Sequence, residues 1–323
     1  MIISRTPFRV SLAGGGTDLP AFYTRQAGAV LSTAIDKYMY VTVNKYFEDK
    51  IILKYSRTEL VPRLRDVRHP LLRECLKLVG PRRGVEITSM ADVVGGTGLG
   101  SSSSFTVGVL HALHAFKGDF CPAAELAREA CEVEIERVGE PIGKQDQYIA
   151  AFGGFQFIEF MPDGGVKVDP LICPEGTLES LRERLLLVYS GIKRSAGRIL
   201  KRVAVGMEKK EAGLARIGDL ARLARRELQE GRVEAIGEIL RENWEIKRTL
   251  AGGVSNGKID AAYRAALSRG AAGGKILGAG GGGFLLLFCP PKKRKTILAA
   301  LKGWREIPFS FEPEGSKIIY VSR

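Results

Sequence analysis

Val93-Val94-Gly95-Gly96-Thr97-Gly98-Leu99-Gly100-Ser101-Ser102-Ser103-Ser104 is the stretch from which the rest of the chain can be read. Before it, Val85 to Ser89 reads as a strand. After it, Phe105, Val109, Ala112, Leu113 and Phe116 recur at helical spacing. The glycines and serines therefore form a loop that ends at a helix N-terminus. A phosphate group carries dense negative charge and needs several donors converging on it. Glycines let backbone N–H groups approach closely, and the helix start adds unpaired N–H groups and a positive dipole end. Serine hydroxyls add further donors or can ligate Mg²⁺. The loop is not a Walker A motif, because Ser101 stands where lysine is required. It is not a Rossmann fingerprint either, because the third glycine is missing after Gly98 and Gly100.

Two other glycine clusters flank this loop in the chain. Ala13-Gly14-Gly15-Gly16-Thr17-Asp18 follows the short alternating strand Phe8 to Leu12. Gly278-Ala279-Gly280-Gly281-Gly282-Gly283 matches GxGxxG formally, but a strand, Phe284 to Phe288, follows where a dinucleotide fold needs a helix. A turn that lets backbone approach a ligand fits better. The clusters hold many of the 39 glycines among 323 residues, and none has a collagen period.

Residues 1 to 55 read as strands, with Ala29 to Ile35 and Tyr38 to Tyr46 rich in Val, Thr and Tyr. Leu71 to Val79 reads as a helix, and Pro122 opens another. Phe152 to Phe160 alternates like a strand and ends in the turn Pro162-Asp163-Gly164-Gly165. Leu185 to Tyr189 is a buried strand that starts the second half. Residues 195 to 250 are helical, Ala261 to Leu267 is a short helix, and a helix near Arg294 to Leu301 and the strand Lys317 to Val321 close the pattern. The length predicts two domains.

Formal charge is +13, from 49 Lys and Arg against 36 Asp and Glu. That suits an anionic ligand, and nucleic acid, nucleotide triphosphates and sugar phosphates all qualify. The basic stretch 193 to 248 carries nine acids among fifteen bases, so it is not a uniform binding stripe. It also lacks the aromatic–basic interleaving of RNA platforms. No apolar run reaches the ~18 residues of a membrane helix. The N-terminal residues have no signal-peptide pattern, and the five cysteines are scattered without a CxxC. These features predict a reduced, cytoplasmic protein with no nucleic-acid or membrane partner, as a monomer or homodimer.

Asp146 sits in Gly143-Lys144-Gln145-Asp146-Gln147, after Glu132, Glu134 and Glu136. Alternate glutamates ordinarily decorate a solvated helix face. The other reading is that one of them holds a cation while Asp146 acts as a base. His111 and His114 lie within the helix after the loop and lack an acidic partner nearby, so neither is expected to do chemistry and a zinc or Cys/His cluster is not expected. The absence of GxSxG leaves a serine hydrolase unsupported. Lys292-Lys293-Arg294-Lys295 is read as a solvated helix start.

Taken together, three motifs resemble the GHMP kinases, the family of galactokinase, homoserine kinase, mevalonate kinase and phosphomevalonate kinase. They are Arg5-Thr6-Pro7-Phe8-Arg9-Val10-Ser11-Leu12-Ala13-Gly14-Gly15-Gly16-Thr17-Asp18, Gly98-Leu99-Gly100-Ser101-Ser102-Ser103, and Lys275-Ile276-Leu277-Gly278-Ala279-Gly280-Gly281-Gly282-Gly283. Gly143-Lys144-Gln145-Asp146-Gln147 falls in the expected gap. The resemblance implies an α+β chain with an N-terminal ribosomal-protein-S5-like domain, 1–170, and a C-terminal ferredoxin-like domain, 171–323, with ATP and Mg²⁺ meeting an acceptor in the cleft between them. It implies Asp146 as catalytic base with Arg9 beside it, and Ser102 and Glu134 as Mg²⁺ ligands. Gly95, Gly96, Thr97, Gly98, Leu99, Gly100, Ser101, Ser102 and Ser103 are then the ATP phosphate loop. Gly15, Gly16, Thr17, Asp18, Arg194 and Gly281 are the expected acceptor residues, with Asp18 on sugar hydroxyls and Arg194 on a substrate phosphate.

Galactokinases carry Glu-His where this chain has Gly15-Gly16, which argues against galactose. The wording of the first two motifs is most similar to the branch acting on D-glycero-D-manno-heptose 7-phosphate. The expected activity is phosphorylation of the anomeric hydroxyl of that sugar phosphate. A fucose-type or other anomeric sugar kinase is the second reading, and a catalytically silent ligand- or nucleic-acid-binding relative is the third.

Overall fold

Apolar alternation on the strands sets the architecture. The computed structural model describes residues 1–192 and 196–322, with the side chains of Ala196, Arg198 and Ala204 outside the description. The larger sheet has eight strands: β1 (Ile2–Ala13), β2 (Gly28–Lys45), β3 (Ile51–Lys54), β4 (Thr58–Val61), β5 (Val85–Ala91), β6 (Phe155–Phe160), β7 (Val166–Pro170) and β12 (Lys317–Val321). The smaller sheet is antiparallel, in the order β11 (Arg305–Glu306), β8 (Leu185–Tyr189), β10 (Phe284–Phe288), β9 (Gly273–Ile276). The larger sheet therefore takes its last strand from beyond residue 171, where the sequence places the second domain.

The two strands read at 29–35 and 38–46 are one 18-residue strand, β2. Its first half pairs with β6 and its second half with β5. Between them, Pro7 pairs with Tyr38 but Phe8 pairs with Ile35, so Asp36 and Lys37 bulge out. The sequence showed that bulge as a gap between two strands.

Eleven α-helices of the described residues surround the sheets: α1 (Pro20–Tyr23), α2 (Pro70–Leu78), α3 (Ser101–Lys117), α4 (Ala123–Cys131), α5 (Gln145–Phe152), α6 (Thr177–Arg184), α7 (Ala196–Ala204), α8 (Glu211–Gln229), α9 (Ala235–Lys247), α10 (Gly257–Ser268) and α11 (Arg294–Ala300). α3 packs on β1 and β2, and α8 also lies against these strands. α9 packs against α8 and against β9 and β10 of the smaller sheet. One apolar core consequently runs from Val10 and Leu31 through Leu220, Ala224 and Leu240 to Leu286 and Phe288. Alternate residues of β8 and β10, among them Leu186, Val188, Leu285 and Leu287, face a second core with Trp244 and Ile259. No helix among the described residues is long and apolar enough to cross a membrane.

Candidate active site

The loop after β5 delivers its backbone to a cavity of about 310 Å³ between the two sheets. Gly96, Gly98 and Gly100 have φ of 76°, 94° and 75°, in the left-handed region open to glycine. Gly100 is the residue before α3, and it has no side chain to cap the helix. The first-turn N–H groups of α3 are left for a ligand, which suits an anion. A Cβ on Gly100 would lie 3.2 Å from Arg9 Cγ and 3.3 Å from Asp146 Oδ2, so the missing side chain also lets the loop close on those residues. Of the nine residues expected in the loop, Gly96, Gly98, Gly100, Ser101, Ser102 and Ser103 line the cavity. Thr97 and Leu99 are buried instead. The Thr97 hydroxyl donates to the Val94 carbonyl at 2.8 Å, and the Leu99 carbonyl accepts from Arg9 N at 3.1 Å. Gly95 is not among the lining residues.

Arg9 comes from the middle of β1 and Asp146 from the first turn of α5. Arg9 Nε donates to Asp146 Oδ1 at 2.7 Å and Nη2 to Oδ2 at 2.8 Å. Nη1 donates to the Gly98 carbonyl at 2.6 Å, which ties this pair to the phosphate loop. The Arg9 side chain is 4% exposed and that of Asp146 24%, so the carboxylate is the more open of two partners that both line the cavity. Bidentate geometry fixes the carboxylate in one orientation. A carboxylate so held beside a donor-lined loop can take a proton from a hydroxyl and leave the cation beside the resulting charge.

Asp18 lies next to this pair. Its Oδ1 accepts from Gly16 N at 2.9 Å, and its Oδ2 accepts from Gln145 N at 3.3 Å and Gln145 Nε2 at 3.2 Å. Burial, and then the charge of Asp146, push its carboxyl above the ordinary range, while the N–H donors oppose that shift. Gly143 is obligatory here, since a Cβ would come within 2.0 Å of Asp18 Oδ2. Gly15, Gly16 and Asp18 line the cavity. Thr17 does not: its fully buried hydroxyl donates to the Gly14 and Ala29 carbonyls at 2.8 and 3.0 Å. Ser11 Oγ and Gln145 Oε1 are buried without a partner. Gly15 lies beside both side chains, with an added Cβ 3.9 Å from Ser11 Oγ and 3.6 Å from Gln145 Nε2.

Glu134 departs from the solvated-face reading. Glu132–Arg137 form a π-helical turn at the end of α4. The wider turn leaves Glu136 exposed and Glu132 in pairs with Arg128 and Arg137, but carries Glu134 fully inside. Its carboxyl accepts from Ser102 Oγ at 3.0 Å, Ser103 Oγ at 2.7 Å, Thr106 Oγ1 at 2.9 Å and Gln147 Nε2. Burial pushes it up to about 7 against the pull of these donors. Ser102 thus connects Glu134 to the cavity, with Glu134 lying behind the serines.

The third glycine turn forms the wall contributed by the smaller sheet. Gly278 and Ala279 line the cavity. Gly281 is not among the lining residues, contrary to the acceptor role expected of it. Its N–H donates to the Val254 carbonyl at 2.7 Å, and a Cβ there would meet Gly253 O and Ile199 Cδ1 at 2.8 Å. Arg194 lies outside the described residues. Sequence reasoning missed Lys247 and Gln145, which line the cavity, and Lys275, which is buried beside it. Lys275 Nζ reaches across to the Leu12 carbonyl of β1 at 3.1 Å and to Asn243 Oδ1 at 3.3 Å. The available signal for Lys247 was a lysine on the same helix face as Ile239, Leu240, Asn243 and Trp244, all of them buried.

Away from the cavity, the expectation for the histidines needs correction. His114 has an acidic partner, since its Nε2 lies 2.8 Å from Glu129 Oε2. With Cys121 they place three ligand-type atoms within 4.8 Å of one another, an arrangement hidden by fifteen residues of separation between His114 and Glu129. His111 pairs with Ser316 at 3.0 Å.

Comparison with known proteins gives the family. Residues 68–154 match the family description "GHMP kinases N terminal domain" and residues 224–305 match "GHMP kinases C terminal". The chain is 31% identical to a D-glycero-alpha-D-manno-heptose 7-phosphate kinase of Campylobacter jejuni, with 98% of each protein covered. It is 26% identical to a bifunctional fucokinase/GDP-fucose pyrophosphorylase of Arabidopsis thaliana, over 85% of this chain and 28% of that one. The crystal structure of a D-glycero-D-manno-heptose 1-phosphate kinase from Bacteroides thetaiotaomicron superposes with a TM-score of 0.82 at 25% identity, covering all of both chains. Matching family domains on either side of the cleft, and near-complete coverage of a sugar kinase, mean that this chain belongs to the GHMP kinases, phosphotransferases with a hydroxyl acceptor.

Proposed function

We propose that the protein transfers the γ-phosphoryl group of ATP to the anomeric hydroxyl of D-glycero-D-manno-heptose 7-phosphate. The observation that carries this reading is the Arg9–Asp146 pair, held by Gly98 directly against the phosphate loop. The loop binds the triphosphate through its N–H groups and serine hydroxyls. Asp146 accepts the hydroxyl proton as the oxygen attacks phosphorus, and Arg9 stabilises charge on the phosphoryl group. Asp18 and Gln145 orient sugar hydroxyls in the space left by Gly15 and Gly16. The 31% identical relative supports the heptose phosphate acceptor.

The donor set suits Mg²⁺, a hard cation that takes oxygen ligands and phosphate oxygens. Ser102 and Glu134 are the side chains we assign to it. When bound, the cation neutralises charge between the β- and γ-phosphates. The decisive experiment is ATP turnover over heptose 7-phosphate, mannose, fucose, galactose and mevalonate. The expected result is a preference for heptose 7-phosphate by at least ~10²-fold in kcat/KM. Preference for an unphosphorylated sugar overturns the acceptor, and absence of turnover with every acceptor overturns the reading.

A further inference from the structure

Lys247 is the last residue of α9, and only 8% of it is exposed. Its amine donates to the Ile276 carbonyl at 3.3 Å and to the Gly278 carbonyl of the third glycine turn. The side chain lines the same cavity as Arg9, Asp146 and Ser101–Ser103. Arg9 and Lys247 are the two cations on that lining among the described residues. Arg9 is turned toward Asp146 and Gly98, on the wall built by β1, α5 and the phosphate loop. Lys247 stands on the wall built by α9 and the third turn.

A third basic group gathers behind them. Burial, followed by the charges of Lys247 and Arg9, holds the Lys275 amine well below the lysine range. Each of two walls thus offers one cation, Arg9 or Lys247, among the acids Asp18, Glu140 and Asp146 of the same lining. Such a pair suits a phosphoryl group in flight, whose charge is spread over its equatorial oxygens.

We infer that Lys247 contacts the transferred phosphoryl group, so that each lobe of the molecule supplies one cation to it. This inference rests on the kinase reading above. In the step, the acceptor oxygen forms a bond to the γ-phosphorus while the bond to the β,γ-bridging oxygen breaks. The hydroxyl proton goes to Asp146, and the electron pair leaves with ADP. Lys247 forms no covalent bond and keeps its protons.

The test compares wild type, Lys247→Met and Lys247→Arg, using Mg²⁺ with either ADP or a non-hydrolysable ATP analogue, by calorimetry. Turnover with phosphorylated and unphosphorylated sugars is measured alongside. For Lys247→Met, affinity for the analogue is expected to fall ~10-fold or more while ADP affinity holds, and kcat to fall ~10²-fold with little change in acceptor KM. The loss should be the same whether or not the acceptor carries its own phosphate, and Lys247→Arg should recover part of it. A rise in KM confined to phosphorylated acceptors, with analogue affinity intact, overturns the inference in favour of a contact to the acceptor's phosphate. Equal loss of both nucleotides with a lower Tm, unrelieved by arginine, reduces Lys247 to a prop for the glycine turn. No change in any reading also overturns it. The calorimetric arm decides even if wild type turns over none of the sugars, an outcome that instead removes the acceptor assignment.

Discussion

Gly283 sits so tightly on Thr97 that a Cβ at this glycine would lie 2.0 Å from the Thr97 carbonyl oxygen. The next residue, Phe284, donates its N–H to that same oxygen at 3.2 Å. The third glycine turn is thus seated on the phosphate loop itself. Gly283 also has φ of 80°, a value that L side chains rarely adopt. Gly283→Ala should lower Tm by ~5 °C or more and raise KM for ATP, because relief of the clash must move the loop. Thermal melts and nucleotide titration check this, and an unchanged ATP KM would show that the turn and the loop are mechanically independent.

Asp146→Asn retains an oxygen that Arg9 can bond but removes the proton acceptor. Turnover should fall ~10²–10⁴-fold while Mg²⁺–ATP binding and the far-UV circular dichroism spectrum persist. Single-turnover assays with calorimetry separate these effects. Retention of activity within a few fold would assign the base to another group.

Glu134 links the site to pH. Its carboxyl rises from 4.5 to about 7 in the fold, so the folded state holds the proton more tightly than the unfolded state does. The stability this contributes is fully present below pH 4.5 and is lost as pH climbs through about 7. Metal-free protein should show that decline in melts across the window, and Glu134→Gln should flatten it. Mg²⁺ should bind more tightly as pH rises through the same range, since the ligand is the carboxylate. A pH-independent Mg²⁺ affinity that is unaltered by the glutamine would remove Glu134 from the metal site.

Gly15 offers a selective perturbation. An added Cβ would make only ordinary contacts, 3.6 Å to Gln145 Nε2 and 3.9 Å to Ser11 Oγ, so Gly15→Ala should fold normally. It should raise acceptor KM ~10-fold or more and leave ATP KM in place. Steady-state kinetics with each substrate varied in turn make the comparison. Equal effects on both substrates would place the acceptor elsewhere.

Where local pattern coincides with local structure, the sequence was readable. The strand–loop–helix around Gly95–Ser104 is contiguous, and Gly96, Gly98 and Gly100 are required by the backbone angles that the loop adopts. Asp146 and Arg9 were legible through the family motifs, while their bidentate contact spans 137 residues and emerges only in three dimensions. The burial of Glu134 was hidden because a π turn breaks the 3.6-residue period on which the solvated-face reading depends. Lys247 and Lys275 were passed over for a related reason. Lys247 reaches the cavity and Lys275 reaches the Leu12 carbonyl because α9 packs on β9 and against β1, which the amphipathic pattern of one helix does not encode. Thr17 and Gly281 belong to the right motifs, yet the turns aim them at neighbouring backbone and not at the cavity.

β12 carries a consequence for synthesis on the ribosome. Ile2 to Arg5 of β1 are flanked on one side by β2 and on the other by Lys317–Val321. The ribosome makes Lys317–Val321 more than 300 residues after these residues of β1. Until then the outer edge of β1 offers unsatisfied N–H and C=O groups, the kind of edge that recruits other chains. Arg5 lies on that waiting edge, and Lys317 answers it across the ladder. Vectorial folding therefore holds the larger lobe one strand short throughout translation of the smaller one, and both lobes are completed almost together.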